Sequence, residues 1–465
     1  MKKYYLIALI LMLGTACSLS KDLFGKDFSG KADYEENVDG TYPIAAGMPI
    51  RVIHSMGDLT VTVWDRKEVA LKARIEVEGD DAEKFGSQIS IEVTGEGKLF
   101  VIETTFPDGE WEDLSYGVRI DLVLPSDHHL EVNNSFGDLS ATGLKAGITA
   151  EASFGALAIE GIEGAIDLTA SFGPVKVENS SGKTVIAGNG GSVTVDNLFA
   201  GDLDISNNIG DIDIKDVAGN VTMHCGNGKV SAKNVAGNVR SGGSFGRQEF
   251  KSIAGGLHVK GQNSNVDAEK IGDGAVIEAS FGSVKLDDVG GDATLILCNG
   301  RASAEGIKGN VDVKNEFGNT DVKKVTGNCR VRTCNGGVDV EEIKGSVDVE
   351  NTFGPVKIKH VGGSIIAECT NGNIKASGLA YGSGEKQKAN TFTLKTTFGL
   401  IEIALPTPPS CTLEANAAFG TIKSDFSLGG VEKGMTSQKC KCTLGEGLAE
   451  IKLTSSNGGI KIKKD

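Results

Sequence analysis

Through the middle of the chain, apolar and polar residues alternate in short runs that end at glycine. Residues 356–359 read Val-Lys-Ile-Lys, and residues 311–314 read Val-Asp-Val-Lys. Because successive side chains of an extended strand point to opposite faces, this alternation places the apolar residues on one face. A period of two is typical of β-strands with one buried face. The pattern predicts many short strands joined by tight turns.

The glycines recur with a fixed spacing of 18 residues, or 36 where one is skipped, with a single step of 19 near Phe199. Those that follow Phe, Asn or a similar residue stand at 137, 155, 173, 191, 210, 228, 246, 282, 300, 318, 336, 354 and 372. A second column, half a repeat out of phase, stands at 201, 219, 237, 255, 291, 309, 327, 345 and 363. Glycine suits turns with positive φ and sites where backbones approach closely. Each repeat therefore holds two short strands and two glycine turns.

One such repeat cannot bury its own apolar face, but stacked copies bury each other's. The predicted fold class is all-β: an elongated parallel β-solenoid of 18-residue, two-strand rungs with β caps at both ends. The residue before the turn glycine alternates, which predicts a ladder of Phe rings with a smaller residue on every second rung. This alternation runs through Phe281, Asn299, Phe317, Asn335, Phe353 and Asn371. A coil of 36 residues per turn stays open as the rival geometry.

The rhythm divides the chain into five predicted regions. Residues 1–17 are typical of a lipoprotein signal peptide, and residues 18–46 of a polar tether. Residues 47–132 form an N-terminal β region with longer strands, 133–378 the repeat solenoid, and 379–465 a C-terminal β cap region. Atypical ends are expected, because an uncapped solenoid would expose a strand edge that pairs with other chains.

The amino terminus has the features of an export signal. Lys2 and Lys3 precede an apolar run at 4–13 that is too short to span a bilayer as a helix. Small residues then lead to Cys17, which predicts lipidation of that residue and anchoring by its acyl chains. Gly14 stands where Leu is usual, so an ordinary cleaved signal peptide stays open. Ser18 is not the Asp that retains lipoproteins in the inner membrane, which favours an outer-membrane anchor, periplasmic or surface-facing.

Composition and charge narrow the range of partners. The 64 Gly and 9 Pro residues, with 6% aromatics, suit short strands and tight turns. The net charge of −15 repels phosphate backbones, so no nucleic-acid partner is predicted. Neither a catalytic centre nor a cofactor is predicted. The six His residues are scattered and show no zinc-protease spacing, and His128 with His129 is expected in an exposed turn.

The strongest metal candidate is a group of aspartates at Asp202, Asp204, Asp211 and Asp213. Calcium requires several oxygen ligands that converge on one point. Most of these residues alternate along predicted strands, so a solvated outward ladder of carboxylates is the main interpretation. Weak calcium binding remains a hypothesis, because stacked carboxylates repel one another.

Eight cysteines follow Cys17, and they are interpreted chiefly as small buried apolar residues. Cys440 and Cys442 are two positions apart on one strand, where they are poorly placed to bridge each other. One long-range disulfide, from Cys411 to Cys440 or Cys442, stays open.

Four features together resemble the bacterial toastrack family, a domain family of unknown function with β-strand repeats. They are Gly-Asp-Leu-Thr-Val-Thr-Val-Trp-Asp at 57–65, the series of Phe-Gly and Asn-Gly turns, the pair of strands at 401–406 and 419–422, and the ending at 454–462. The resemblance covers about residues 47–465. It implies a β-repeat architecture and no catalytic residues. The family's adhesin label implies a surface-binding role.

These observations predict a non-enzymatic, lipid-anchored cell-envelope or surface protein, adhesin-like, that binds a protein or glycan partner. A structural or envelope-stress-related scaffold is the first alternative. The second is a polysaccharide-active β-helix enzyme. It is disfavoured, because the repeats lack the long insertions that form the walls of a substrate groove.

Overall fold

The computed structural model describes residues 32–95, 97–109, 111, 113–383 and 388–465. The predicted signal peptide, including Cys17, and the first part of the predicted tether lie outside the described residues. The described residues form two compact units, which we call the N-terminal unit (up to Gly210) and the C-terminal unit (from Asp211). Each unit consists almost entirely of β-strands that pair in parallel, and the predicted all-β parallel solenoid is confirmed.

The N-terminal unit contains one short helix, α1, at Ala82–Gly86. Its strands are β1 (Tyr34–Pro43), β2 (Ile50–His54), β3 (Leu59–Trp64), β4 (Glu68–Glu78), β5 (Ser90–Thr94), β6 (Phe100–Thr105), β7 (Ser115–Pro125), β8 (Leu130–Phe136), β9 (Leu139–Thr142), β10 (Ile148–Phe154), β11 (Leu157–Glu160), β12 (Ile166–Phe172), β13 (Val175–Ser180), β14 (Thr184–Gly188), β15 (Val193–Leu198) and β16 (Leu203–Ile209).

The C-terminal unit begins with β17 (Ile212–Val217), β18 (Val221–Asn227), β19 (Val230–Val235), β20 (Val239–Ile253), β21 (Leu257–Ile271), β22 (Ala275–Phe281), β23 (Val284–Val289), β24 (Ala293–Asn299), β25 (Ala302–Ile307), β26 (Val311–Phe317), β27 (Thr320–Val325), β28 (Cys329–Asn335), β29 (Val338–Ile343) and β30 (Val347–Phe353). It continues with β31 (Val356–Val361), β32 (Ile365–Asn371), β33 (Ile374–Leu379), β34 (Gly382–Ser383), β35 (Lys388–Ala389), β36 (Thr391–Phe398), β37 (Ile401–Leu405), β38 (Cys411–Phe419), β39 (Ile422–Ser424), β40 (Val431–Lys433), β41 (Gln438–Leu444), β42 (Ala449–Asn457) and β43 (Ile460–Lys464).

The pairing register fixes the length of one coil. In the N-terminal unit Ile148 of β10 lies opposite Ile166 of β12, and in the C-terminal unit Val311 of β26 lies opposite Cys329 of β28. Each pair is 18 residues apart in the sequence. One coil therefore takes 18 residues, and the rival geometry of 36 is wrong. Each rung consists of two strands, as the two glycine columns predict.

The core of each unit is made of inward side chains stacked in columns. Val313, Val331 and Val349 occupy equivalent positions of β26, β28 and β30, and all three are fully buried. Burying one such side chain contributes about 1.5–3 kcal/mol relative to leaving it in water. Because every rung repeats these positions, the stack of rungs buries the apolar face that a single rung would expose.

The two strands of a rung meet at a corner after each Phe or Asn, where glycine is required. Gly318 has φ +128°, and a Cβ on it would lie 2.0 Å from the carbonyl oxygen of Gly300 on the preceding rung. In the N-terminal unit a Cβ on Gly155 would lie 2.0 Å from the oxygen of Gly137. The corner glycines therefore stack backbone against backbone, and no larger residue fits without displacing the chain.

The rungs at the N-terminal end do not follow sequence order. β2 lies between β6 and β8, and β3 lies between β7 and β9, all in parallel. The first rung in the sequence is therefore the second in space. The region predicted at 47–132 thus contributes rungs of the same type as the repeat array predicted to begin at 133. β4 adds to β7 and β5 adds to β6 in antiparallel pairs that extend the end.

The predicted tether, 18–46, requires a correction at its end. Residues Tyr34–Pro43 form β1, which pairs antiparallel with β4 along its whole length. The physical reason is that β4 would otherwise present an open edge, which β1 covers.

The C-terminal end shows the same kind of reordering. β42 lies between β36 and β38, and β43 lies between β37 and β39. In space, the last rung of the sequence (β42 and β43) therefore lies between the two rungs that come before it in the sequence. β41 closes the end as an antiparallel strand against β38, and β40 pairs antiparallel with β41. The region predicted as a C-terminal cap consequently holds three further rungs as well as this closing hairpin.

Candidate functional site

A single column of exposed side chains runs along the corners of the C-terminal unit, and we call it the Phe–Asn stripe. In spatial order it contains Asn227, Phe245, Asn263, Phe281, Asn299, Phe317, Asn335, Phe353, Asn371, Phe398, Asn457 and Phe419. Between 48% and 63% of each Phe residue remains exposed to solvent. The predicted ladder of Phe rings with a smaller residue on every second rung is confirmed here.

Reordering of the last rungs preserves the alternation. In the sequence Phe398 and Phe419 are followed by Asn457, so two Phe would be neighbours if the rungs stacked in chain order. Because β42 lies between β36 and β38, Asn457 pairs with Phe398 on one side and with Phe419 on the other. Phe and Asn therefore alternate in space to the end of the stripe.

The rings of the stripe stand two rungs apart, or about 9.6 Å at the usual strand spacing. The N-terminal unit shows the other arrangement: Phe136, Phe154 and Phe172 occupy consecutive rungs and stack with ring centroids 5.0 and 5.1 Å apart. Consecutive Phe residues thus fit at this corner, and packing does not force the alternation. In the stripe each ring lies too far from the next for the two to stack.

About half of the positions beside the stripe carry hydroxyl or amide groups, and Cys298, Glu316 and Cys334 are among the others. The hydroxyl and amide positions include Ser280, Thr352, Thr397, Asn265, Ser283, Asn319, Asn373 and Thr421. The Oδ1 atoms of Asn265, Asn319 and Asn373 each accept the backbone N–H of the next rung at 2.8–2.9 Å, which fixes the orientation of the amide.

The cations beside the stripe are paired with carboxylates. Arg247 contacts Asp267 at 2.7 Å, and Arg301 contacts Asp321 at 2.8 Å. Lys229 contacts Glu249 at 2.9 Å, and this ion pair lowers the pKa of the Glu249 carboxyl. The stripe is therefore close to electrically neutral in a chain whose net charge is −15.

A buried column beneath the corners mixes apolar and polar side chains, and two of its residues are amides bonded to the corner glycines. The Asn315 side chain donates to the carbonyl oxygens of Gly300 at 3.0 Å and Gly318 at 3.2 Å. Asn351 does the same for Gly336 and Gly354 at 3.1 and 3.0 Å. Each of these two amides thus ties two successive corner glycines together, next to Phe317 and Phe353.

In the N-terminal unit His54 occupies this same column, opposite Asn134. His54 is almost fully buried, and its Nδ1 lies 3.2 Å from the Thr104 hydroxyl. Burial lowers the pKa of His54 to about 4, because a charged imidazolium would lose its hydration. The imidazole is therefore neutral at pH 7.

The predicted metal residues do not form a site in either unit. Asp204 and Asp213 are outward and exposed on β16 and β17, and Asp202 is exposed at a turn. Asp211 accepts the backbone N–H of Lys229 at 2.7 Å. Within the part of the chain that the structure describes, no group of three or more His, Cys, Asp or Glu is arranged to hold a metal ion. Calcium binding stays a prediction.

A shallow groove lies where β24, β26, β28 and β30 begin, and local sequence gives no sign of it. Asp292, Asn310 and Asn328 line it, and their side-chain oxygens accept backbone N–H groups of the next rung at 2.7–2.9 Å. Arg330 and Asp348 form an ion pair at 3.2 Å on its floor. These polar groups are hydrogen-bonded or ion-paired within the protein, so we assign them a structural role.

Two of the cysteine and histidine predictions need correction: the expected burial of Cys298 and Cys334, and the expected exposure of His128. All eight cysteines in the described residues are free thiols, so the bridge from Cys411 does not form. Cys298 and Cys334 are exposed, because the register places them just before the stripe residue, where side chains turn outward. The Sγ atoms of Cys440 and Cys442 lie 3.7 Å apart, closer than their spacing on one strand indicates.

His128, expected in an exposed turn, is buried. Its Nδ1 lies 2.7 Å from the carbonyl oxygen of Met48, a contact across 80 residues of chain that local sequence does not reveal. Over the ranges that the structure describes, no helix is long and apolar enough to cross a bilayer.

Comparison with known proteins adds one family match. The family model described as Toastrack DUF4097 matches residues 218–463, just over half of the chain. No curated protein matches this chain.

Two crystal structures are similar at low identity. One is described as a putative cell adhesion protein from Clostridium sporogenes. It is 8% identical to this chain, and the match covers 93% of this chain and 100% of that one with a TM-score of 0.18. The other is described as a putative adhesin from Bacteroides fragilis. It is 12% identical to this chain, and the match covers 69% of this chain and 100% of that one with a TM-score of 0.18.

Proposed function

The chain belongs to the Toastrack DUF4097 family, and on that premise we propose that it is a non-enzymatic, lipid-anchored protein of the cell envelope that binds a protein or glycan partner. The observation that carries this proposal is the Phe–Asn stripe. Six half-exposed Phe residues lie in one line on rigid corners. Isolated apolar residues on a surface are ordinary, but an ordered row of them marks an interaction site.

Aromatic side chains also supply much of the energy in binding interfaces, because they bury a large area with few rotatable bonds. The buried amides of Asn315 and Asn351 hold the corners beneath the stripe. A platform that is ordered before binding loses little conformational entropy when a partner docks. These features support adhesion as the role of the C-terminal unit.

The membrane anchor is the second part of the proposal. Acylation of Cys17 would hold the protein to the outer membrane, since each buried CH₂ contributes about 0.8 kcal/mol. Cys17→Ala should move the protein from the membrane fraction to the soluble fraction and abolish labelling by a fatty-acid analogue. Labelling that persists in Cys17→Ala would disprove the anchor at this residue.

The test of function compares a deletion strain with strains that produce the wild-type protein or a stripe variant, Phe281→Ala/Phe317→Ala/Phe353→Ala. We expect deletion and the stripe variant to reduce attachment to surfaces or cells, with unchanged resistance to detergent and osmotic shock. Loss of envelope resistance with normal attachment would favour the scaffold alternative. Release of reducing ends from a polysaccharide panel by the purified protein would show an enzyme instead.

A further inference from the structure

We propose that the Phe–Asn stripe binds an extended, uncharged β-1,4-linked polysaccharide that lies along the corners of the C-terminal unit, with one disaccharide for every two rungs. This inference rests on the proposed function and names the class of its partner. It is carried by the spacing, the chemistry and the width of the stripe.

The spacing matches such a chain. Successive Phe rings stand about 9.6 Å apart, because two rungs separate them. An extended β-1,4-linked polysaccharide turns each sugar over relative to the last, so its chemical repeat is the disaccharide, whose length is close to this distance. Every second sugar can therefore place C–H groups against the exposed part of a Phe ring, and the sugar between them lies over an Asn.

The chemistry of the stripe also suits neutral sugars. A sugar ring offers an apolar C–H face and a rim of hydroxyl groups. Phe supplies the apolar surface, and Asn amides such as Asn299 and Asn335 can donate to and accept from hydroxyl groups. Because Arg247 and Arg301 are already paired with carboxylates, they offer no free charge for a phosphate or sulfate. Polyanions are disfavoured for the same reason.

The width of the stripe favours a linear partner over a folded protein. A stable protein interface buries about 800 Å² on each side around an apolar centre. The stripe is one residue wide, and an amide interrupts it on every second rung. It offers a line of contacts and no broad apolar centre. A single polysaccharide chain has this shape.

The Phe rings are free to bind only because Asn separates them. Where Phe136, Phe154 and Phe172 are consecutive, each ring faces the next at about the distance of one rung. Filling the gaps of the stripe should therefore cover the ring faces. This gives a test of the two-rung period itself.

The experiment measures binding of the full mature chain to insoluble cellulose and chitin, with a β-1,3-linked glucan as the comparison polymer. We expect binding to cellulose or chitin that is at least tenfold tighter than to the β-1,3-linked glucan. Phe281→Ala/Phe317→Ala/Phe353→Ala should weaken it at least tenfold. The matched control is Ile296→Ala/Ile366→Ala, which removes exposed apolar side chains outside the stripe and should change binding less than twofold.

The second variant, Asn299→Phe/Asn335→Phe, adds aromatic surface and should nevertheless weaken binding at least tenfold. Circular dichroism and the unfolding midpoint of each variant check that the fold is retained. Binding of this variant as tight as wild type would overturn the two-rung register.

Two further outcomes separate this inference from the proposed function. If neither polysaccharide binds, while the wild-type protein still promotes attachment of cells, the glycan assignment fails and the adhesive role stands. If the chain promotes no attachment, the proposed function fails as well. A dimer that the triple Phe variant converts to a monomer would instead assign the stripe to contacts between copies of this chain.

Discussion

The corner column of the N-terminal unit and that of the C-terminal unit share one backbone geometry and carry different side-chain patterns. In the first, Phe136, Phe154 and Phe172 stack on consecutive rungs, and only Phe172, at the end of the stack, is about half exposed. In the second, Phe317 and Phe353 are separated by Asn335 and keep about half of their surface in water. Stacked rings bury part of each other's surface and so stabilise the fold. Separated rings contribute less to stability and remain available to a partner.

The two columns show that the corner backbone accepts different outward side chains without changing its own geometry. The corner glycines and the buried amides beneath them fix the backbone, and the outward residue is left free to vary. Structure and binding are thus assigned to different atoms of the same rung. Four predictions test this separation.

The largest effect is expected at the corner glycines, which both columns need. Gly155→Ala and Gly318→Ala each force a Cβ to within 2.0 Å of a backbone oxygen on the preceding rung, at φ +140° and +128°. Each substitution should lower the free energy of unfolding by about 3 kcal/mol or more. Denaturant-induced unfolding followed by circular dichroism measures this.

The matched control is Gly429→Ala, where a Cβ meets nothing within 4 Å; it should cost less than about 0.5 kcal/mol. If Gly318→Ala were as harmless as Gly429→Ala, the two columns would not share one corner geometry.

The next largest effect is a pH dependence of stability, which His54 should give to the buried column of the N-terminal unit. The pKa of His54 is about 4 in the folded chain and ordinarily 6.5, so the unfolded state binds more protons between these values. The stability that neutral His54 provides is present above pH 6.5 and is lost as the pH falls to about 4. The loss is on the order of 3 kcal/mol.

His54→Asn, which copies the residue at Asn134, should flatten this pH dependence in the N-terminal unit. Unfolding midpoints at several pH values between 7 and 4 measure the slope. The wild-type slope persisting in the variant would show that another group titrates.

A smaller effect is expected from the amide beneath the stripe. Asn315→Leu removes both hydrogen bonds to the corner carbonyls, while Leu297 on the preceding rung shows that Leu fits this column. The variant also removes the buried Oδ1 of Asn315, which has no hydrogen-bond partner, so the net loss should be about 1–2 kcal/mol. Thermal unfolding checks this, and a more stable variant would show that the amide does not hold the corner.

The smallest effect compares the two kinds of Phe directly. Phe154→Ala removes a ring that stacks on both sides and should cost about 0.5–1.5 kcal/mol more than Phe317→Ala, whose ring has no stacked neighbour in the column. Melting temperatures of the two variants give the ranking. Equal losses would show that stacking adds nothing beyond burial of the ring.

Much of the rung could be predicted from local sequence. Alternation at 311–314 and 356–359 predicted strands with one buried face, and the 18-residue glycine spacing predicted the turns. Both follow from short-range geometry, because side-chain direction and the sign of φ are set within a few residues. The Phe–Asn alternation from Phe281 to Asn371 was visible in the same way.

The candidate site was only partly predictable. The exposed position of Cys298 and Cys334 depends on register at the corner, and the burial of His128 depends on Met48 from a distant part of the chain. The calcium hypothesis and the lipid anchor at Cys17 stay predictions, and the Cys17→Ala labelling experiment tests the anchor.

Local sequence alone specifies the repeating unit: two strands, two glycine turns and an outward Phe or Asn. The order of the end rungs, and with it the place of Asn457 between Phe398 and Phe419, is set by the folded unit as a whole. Similar rungs offer similar edges, so pairing between them is not encoded in any single segment. It is fixed by which neighbour covers each open edge once the whole unit has folded.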